Sequence, residues 1–181
     1  MKVFTAFPTN RIRALHRHGR AALGALLLLL VAGCSAPKEP TERDRKEAAF
    51  LISEAQFALT VREWSRAEGL LVKATGLVPD GDAWLSLGAV RMRLNNRLGA
   101  KDAYQSALKA FEQETARNNQ VSEPWLKQAF VLGLLGRKSD SQAMIAKAAK
   151  IFPNDPKVRA LTDPQEFERM FSTQNFKDMA L

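Results

Sequence analysis

The side chains able to make or break bonds are few, and they are badly placed for catalysis. The 181 residues hold one cysteine, Cys34, and two histidines, His16 and His18. All three fall in a basic and apolar N-terminal leader or at its very end. A cysteine thiolate is nucleophilic enough to be alkylated. With the leader removed, no imidazole remains and no thiol other than Cys34. Ser-His-Asp and Cys-His nucleophile pairs, His/Cys zinc sites and internal disulfides are excluded together. There is no glycine-rich phosphate loop, nucleophile elbow or metal-ligand cluster. The acid pairs Asp80 and Asp82, and Glu112 and Glu114, sit at a turn or along a helix surface, where water solvates them. No catalytic residue, no metal and no cofactor is expected, and the chain does not read as an enzyme.

Charge points the same way. The chain carries 27 Lys+Arg against 19 Asp+Glu, a formal +8 that would suit a polyanionic partner. Lys2, Arg11, Arg13, Arg17 and Arg20 belong to residues 1–33, which contain no acid; without them 22 basic residues face 19 acidic ones. The basicity is mostly the leader's, and no nucleic-acid partner is expected.

Within that leader, Ala21 to Ala32 form an uncharged apolar run of 12 residues. A span of the hydrocarbon layer needs about 20. A basic start before a short apolar core is the layout of a secretory signal peptide. Val31-Ala32-Gly33-Cys34 then resembles the bacterial lipobox, with small residues that let a peptidase approach the backbone. That resemblance implies a diacylglyceryl group on the Cys34 thiol, cleavage between Gly33 and Cys34, and acylation of the new amino terminus. The competing reading is a core segment ending in a buried cysteine. One acyl chain holds a protein only marginally, at about 0.8 kcal/mol per methylene, whereas two or three hold it firmly. The expected product is a palmitate-bearing lipoprotein of the cell envelope, anchored and not spanning. Ser35, where an aspartate would favour the inner membrane, favours the outer membrane facing the periplasm. Ser35 to Lys46 has two prolines, seven charged residues and no large apolar side chain, and is predicted to be a disordered tether reaching about 20 Å.

From Glu47 onward every apolar pattern is helical. Ala67, Leu71 and Ala74 are followed five residues later by Pro79; Ala100, Tyr104 and Ala107 repeat the spacing 33 residues on. Ser141, Ile145 and Ala148, with Pro153 behind them, repeat it after a further 41. Leu51 with Ala55, Trp84 with Gly88 and Trp125 with Ala129 stand upstream at matching places. Positions i, i+4 and i+7 share one helix stripe, and small residues there let helices approach to about 8–10 Å. The pattern resembles the tetratricopeptide repeat, and the fold expected is an all-α solenoid of about three helix pairs. The pairs are placed near 48–61 and 62–77, 82–95 and 97–117, and 124–136 and 138–151. Ser122, the capping box of Ser139 with Gln142, Gly136, Pro79 and Pro153 mark their ends. Residues 114–120 are an insertion that either lengthens a helix or forms a loop.

The organisation predicted is a signal peptide over 1–33, a lipidated cysteine and tether over 34–46, repeats over 47–153, and a cap and tail over 154–181. The repeat units run near 48–81, 82–121 and 122–155. Asp163-Pro164-Gln165-Glu166 opens the capping helix, needed because a terminal repeat would otherwise expose its stacking face. The tail carries Phe176, Met179 and Leu181 and either packs on the cap or folds with a partner.

By the same resemblance, the first helix of each pair lines a groove. Its lining includes Ile52, Gln56, Leu85, Ala89, Met92, Arg93, Leu126, Lys127, Phe130 and Leu134, an apolar strip with two main cations. Such a strip suits an extended or helical peptide. The family's carboxylate clamp is not matched here, since Ile52, Gln56, Ser86 and Glu123 occupy its places and Lys127 alone fits. The C-terminal segment is the other candidate occupant. The function expected is a protein-binding adaptor or assembly factor of the envelope. A self-associating structural protein or a regulatory subunit of an envelope enzyme is the alternative.

Overall fold

The computed structural model describes residues 39–181, so Gly33, Cys34, the signal peptide and most of the tether lie outside the described residues. Residues from Pro40 onward form one compact unit. Its helices are α1 (Glu42–Thr60), α2 (Trp64–Leu77), α3 (Gly81–Arg93), α4 (Arg97–Arg117), α5 (Glu123–Leu134), α6 (Lys138–Ile151), α7 (Pro156–Thr162), α8 (Pro164–Ser172) and α9 (Gln174–Met179). No strand occurs among the described residues, and no helix there is long and apolar enough to cross a membrane.

The heaviest packing is within α1/α2, α3/α4 and α5/α6, followed by α4 on α5 and α2 on α3. Helix pairs that touch chiefly their neighbours are the wiring of an α-solenoid. The small-large-small stripes make this possible. All nine stripe residues are at most 3% exposed, and Ser141, the one polar member, donates its hydroxyl to the Ala129 carbonyl at 2.7 Å. A buried hydroxyl so paired costs little.

Each pair is joined by the same turn. Arg62, Asn95 and Gly136 occupy the left-handed region with φ of 61°, 58° and 73°. Their amides donate to Leu59, Met92 and Gly133 carbonyls at 3.2, 3.0 and 2.9 Å. The next amides, of Glu63, Asn96 and Arg137, reach back to Ala58, Arg91 and Leu132 at 2.9, 2.8 and 2.9 Å. This double closure satisfies the orphan carbonyls of the first helix and reverses the chain. A Cβ in the left-handed region costs about 1–2 kcal/mol, more for Arg than for Asn. Arg62→Gly is therefore expected to raise the unfolding free energy measured in urea and Gly136→Ala to lower it, each by about 1 kcal/mol. Changes of the same sign would refute that account of the turns.

Several local expectations need correction. α1 begins at Glu42, not near 48, so residues 42–46 are helix and not tether. Thr41 Oγ1 accepts from the Asp44 amide at 3.2 Å while the Asp44 carboxylate accepts from the Thr41 amide at 2.8 Å. That capping box opens a charged first turn with no apolar signal of its own. The insertion resolves as helix up to Arg117, followed by a short link over 118–122. Ser122 does precede α5, but its hydroxyl donates to Asp155 at 2.6 Å and caps nothing. The Ser139–Gln142 box does not form, because the turn at Gly136 starts α6 at Lys138 and puts Ser139 inside its first turn.

The cap is three short helices where one was expected. Asp155 caps α7, accepting from the amides of Lys157 at 2.8 Å and Val158 at 3.2 Å. The Ser122 hydroxyl, then the Val158 amide, hold its carboxyl below the usual carboxylate range. Asp163 caps α8 through the Gln165 amide at 2.7 Å, while Glu166 pairs with Arg169 and leaves the box open.

Candidate functional site

The strongest candidate is the cleft between α3 and α5, and α9 lies in it. α9 packs on α3 and on α8, and a single apolar cluster joins Leu85, Trp84 and Met92 of α3 with Phe130, Val131, Leu132 and Leu134 of α5. From the C-terminal segment Phe171, Phe176, Met179, Ala180 and Leu181 enter the same cluster. Phe176 is 6% exposed, with its ring edge-on to Phe130 at 5.5 Å and to Phe171 at 5.0 Å between centroids.

Three polar contacts fix the register of this segment. Tyr104 Oη donates to the Met179 carbonyl at 2.7 Å. The Leu181 amide donates to the Leu134 carbonyl at 3.0 Å. Arg93 Nη2 meets Asp178 Oδ2 at 3.0 Å. Burial pushes the Tyr104 phenol far above its ordinary pKa, so the hydroxyl keeps its proton and remains a donor. One aromatic anchor, one ion pair and two backbone hydrogen bonds hold the segment in place.

Not every expected lining residue takes part. Leu85, Met92, Arg93, Phe130 and Leu134 surround the segment, and Ala89 is half-buried on the same helix as the first three. Leu126 instead packs with Trp125, Ala148 and Val158 towards the cap. Ile52 packs into the cluster of the first two pairs, and Gln56 is exposed on α1. Lys127 is a clamp between repeats. Its Nζ lies 2.7 Å from Asp82 and 3.1 Å from Glu123, and 5.6 Å from the centre of the Phe111 ring. Burial disfavours its charge, but the two carboxylates outweigh that and raise its pKa. Two ion pairs and a ring leave it little capacity for a ligand.

Tyr104 is the functional residue that the sequence pattern left unassigned. It sits on the second helix of its pair, at the large position of the stripe, and its ring is fully buried. The signal was its hydroxyl: a buried tyrosine needs a partner, and no stripe residue supplies one. On the second-helix side, a recess of about 290 Å³ is lined by Val72, Thr75, Trp84, Arg91 and Asp102 among others. Its cation is committed, since Arg91 pairs with Glu68 at 3.0 Å and donates to the Gly99 carbonyl at 3.0 Å. Among the described residues no three His, Cys, Asp or Glu come together as a metal site.

No protein-family model matches the sequence, and no curated protein does. Among solved structures, the tetratricopeptide-repeat domain of Arabidopsis OM64 is similar at 12% identity and a TM-score of 0.43, over 70% of this chain and 96% of that one. The fold described above rests on the helix pairing itself and not on that likeness.

Proposed function

We propose that this protein is a lipid-anchored adaptor of the bacterial cell envelope, of the tetratricopeptide kind, held at Cys34. Its cleft between α3 and α5 binds a segment of a protein partner during assembly of an envelope structure. The observation that carries the reading is the cleft's own content: it already holds a helical peptide by an aromatic anchor, an ion pair and backbone hydrogen bonds. A surface with those features suits polypeptide and offers no nucleophile or base for turnover. The lipobox resemblance at Val31–Cys34 supports the anchor, and Ser35 supports the outer membrane.

One observation favours self-association as a second reading. Phe50 and Phe57 on α1, and Val61 just after it, are 64%, 57% and 49% exposed, whereas Ala48, Ala55 and Ala58 of that helix are buried. A photocrosslinking amino acid placed in growing cells at Leu85, and separately at Phe57, distinguishes the two. Adducts from Leu85 to a different polypeptide, lost in a Phe130→Glu chain, are expected. Adducts only from Phe57, and only to a second copy, would replace the adaptor reading with the structural one.

A further inference from the structure

The cleft cannot take a partner while α9 fills it. We infer that the C-terminal segment is a built-in competitor, and that the partner's segment presents the same chemistry: an aromatic residue, an acid two positions on, a methionine next, and an aliphatic residue two beyond. This rests on the adaptor reading and names both its ligand class and its regulation.

The pattern is that of Phe176, Asp178, Met179 and Leu181, and each member has its own reader. Phe130 and Phe171 take the Phe176 ring edge-on. Arg93 takes the Asp178 carboxylate. The Met179 and Leu181 side chains pack against the apolar cluster, while the Tyr104 hydroxyl and the Leu134 carbonyl take their backbone. A partner's backbone offers the same two groups, so those contacts transfer unchanged. α9 has only six residues, so it contributes little helical stability of its own and is held by these contacts. The link from α8 to α9 is the single residue Thr173, and the Asp178 side chain stays partly exposed at 29%. Arg93, 43% exposed, is open to a competing carboxylate before the segment leaves. A site whose competent state is a minor fraction binds more weakly by that fraction, and loosening the competitor restores the difference.

The test is a titration of a fluorescein-labelled peptide of residues 173–181 into the full chain, read by anisotropy. The unmodified chain should bind it weakly. The Phe176→Ala, Met179→Ala chain should bind about tenfold more tightly or better. Equal affinities, or no binding to either, would overturn the inference. Phe176 belongs to the core, so a surface change guards against misfolding. Asp178→Arg, which sets like charges face to face with Arg93, should strengthen peptide binding. Combining it with Arg93→Asp should close the cleft again, and a labelled peptide carrying the same Asp178→Arg change should bind that chain as weakly as the unmodified peptide binds the unmodified chain. A segment acting only as a structural cap would give neither the gain nor its reversal by the charge swap. Exchange without any cellular adduct at Leu85 would leave the competitor in place and remove the adaptor. An adduct without exchange would do the reverse.

Discussion

Cys34→Ser is expected to abolish incorporation of radiolabelled palmitate and to leave the product carrying residues 1–33. The reason is the acidity and softness of sulfur. A thiol loses its proton near pH 8.5, so a useful fraction is thiolate at neutral pH, whereas a serine hydroxyl remains protonated and a poor nucleophile. In the lipoprotein pathway that the resemblance implies, the leader is cut only after the thiol is alkylated. On the proposed reading, one atom would control the anchor and the processing together. Two or three acyl chains make detachment negligible, so the change should remove stable membrane association by lipid and leave only the uncleaved leader to hold the product. Label retained in the Cys34→Ser product, or a processed Cys34→Ser protein, would sink the anchor.

Gly88→Ala should destabilise the folded unit by about 2–3 kcal/mol in urea denaturation. A Cβ at Gly88 would lie 2.9 Å from Cζ of Tyr104 and closer still to two other ring atoms. The ring cannot retreat, because it is fully buried and its hydroxyl is bonded to Met179. The other pairs show what decides the matter. Ala55 occurs in the cluster of Leu71, and Ala129 in that of Ile145, so a methyl is accepted where the stripe residue is aliphatic. Gly88→Ala combined with Tyr104→Ile should thus cost less than the sum of the two, with a coupling of about 1–2 kcal/mol. Strict additivity would show that the ring is not the obstacle.

The helix pairs were readable in the sequence because their stripes are local: Ala67, Leu71 and Ala74 announce a buried face by spacing alone. The turns were harder. Gly136 advertises the left-handed position, but Arg62 and Asn95 adopt it under the geometry of the hairpin and carry no compositional mark. The start of α1 was hidden for a related reason, since its first turn is charged and its only sign was the Thr41–Asp44 cap. Within the cleft, Leu85, Met92, Phe130 and Leu134 followed from placing first helices side by side. The C-terminal segment is one of two candidate occupants in the sequence; its helix and register did not follow, because six residues are too few to show a period and its partner Tyr104 lies 75 residues away from Met179. The pairing of Lys127 with Asp82 was hidden for the same lack of distance information, since the two lie 45 residues apart.

The return of the chain onto α3 and α5 also changes how the molecule should come apart. Repeat arrays ordinarily fray from either end, because each unit leans only on the next. Here the far end is stitched to the middle at Arg93, Tyr104 and Leu134. While that segment is seated, the second and third hairpins and the cap are joined through it. The first hairpin is left outside that loop, and is where unzipping begins.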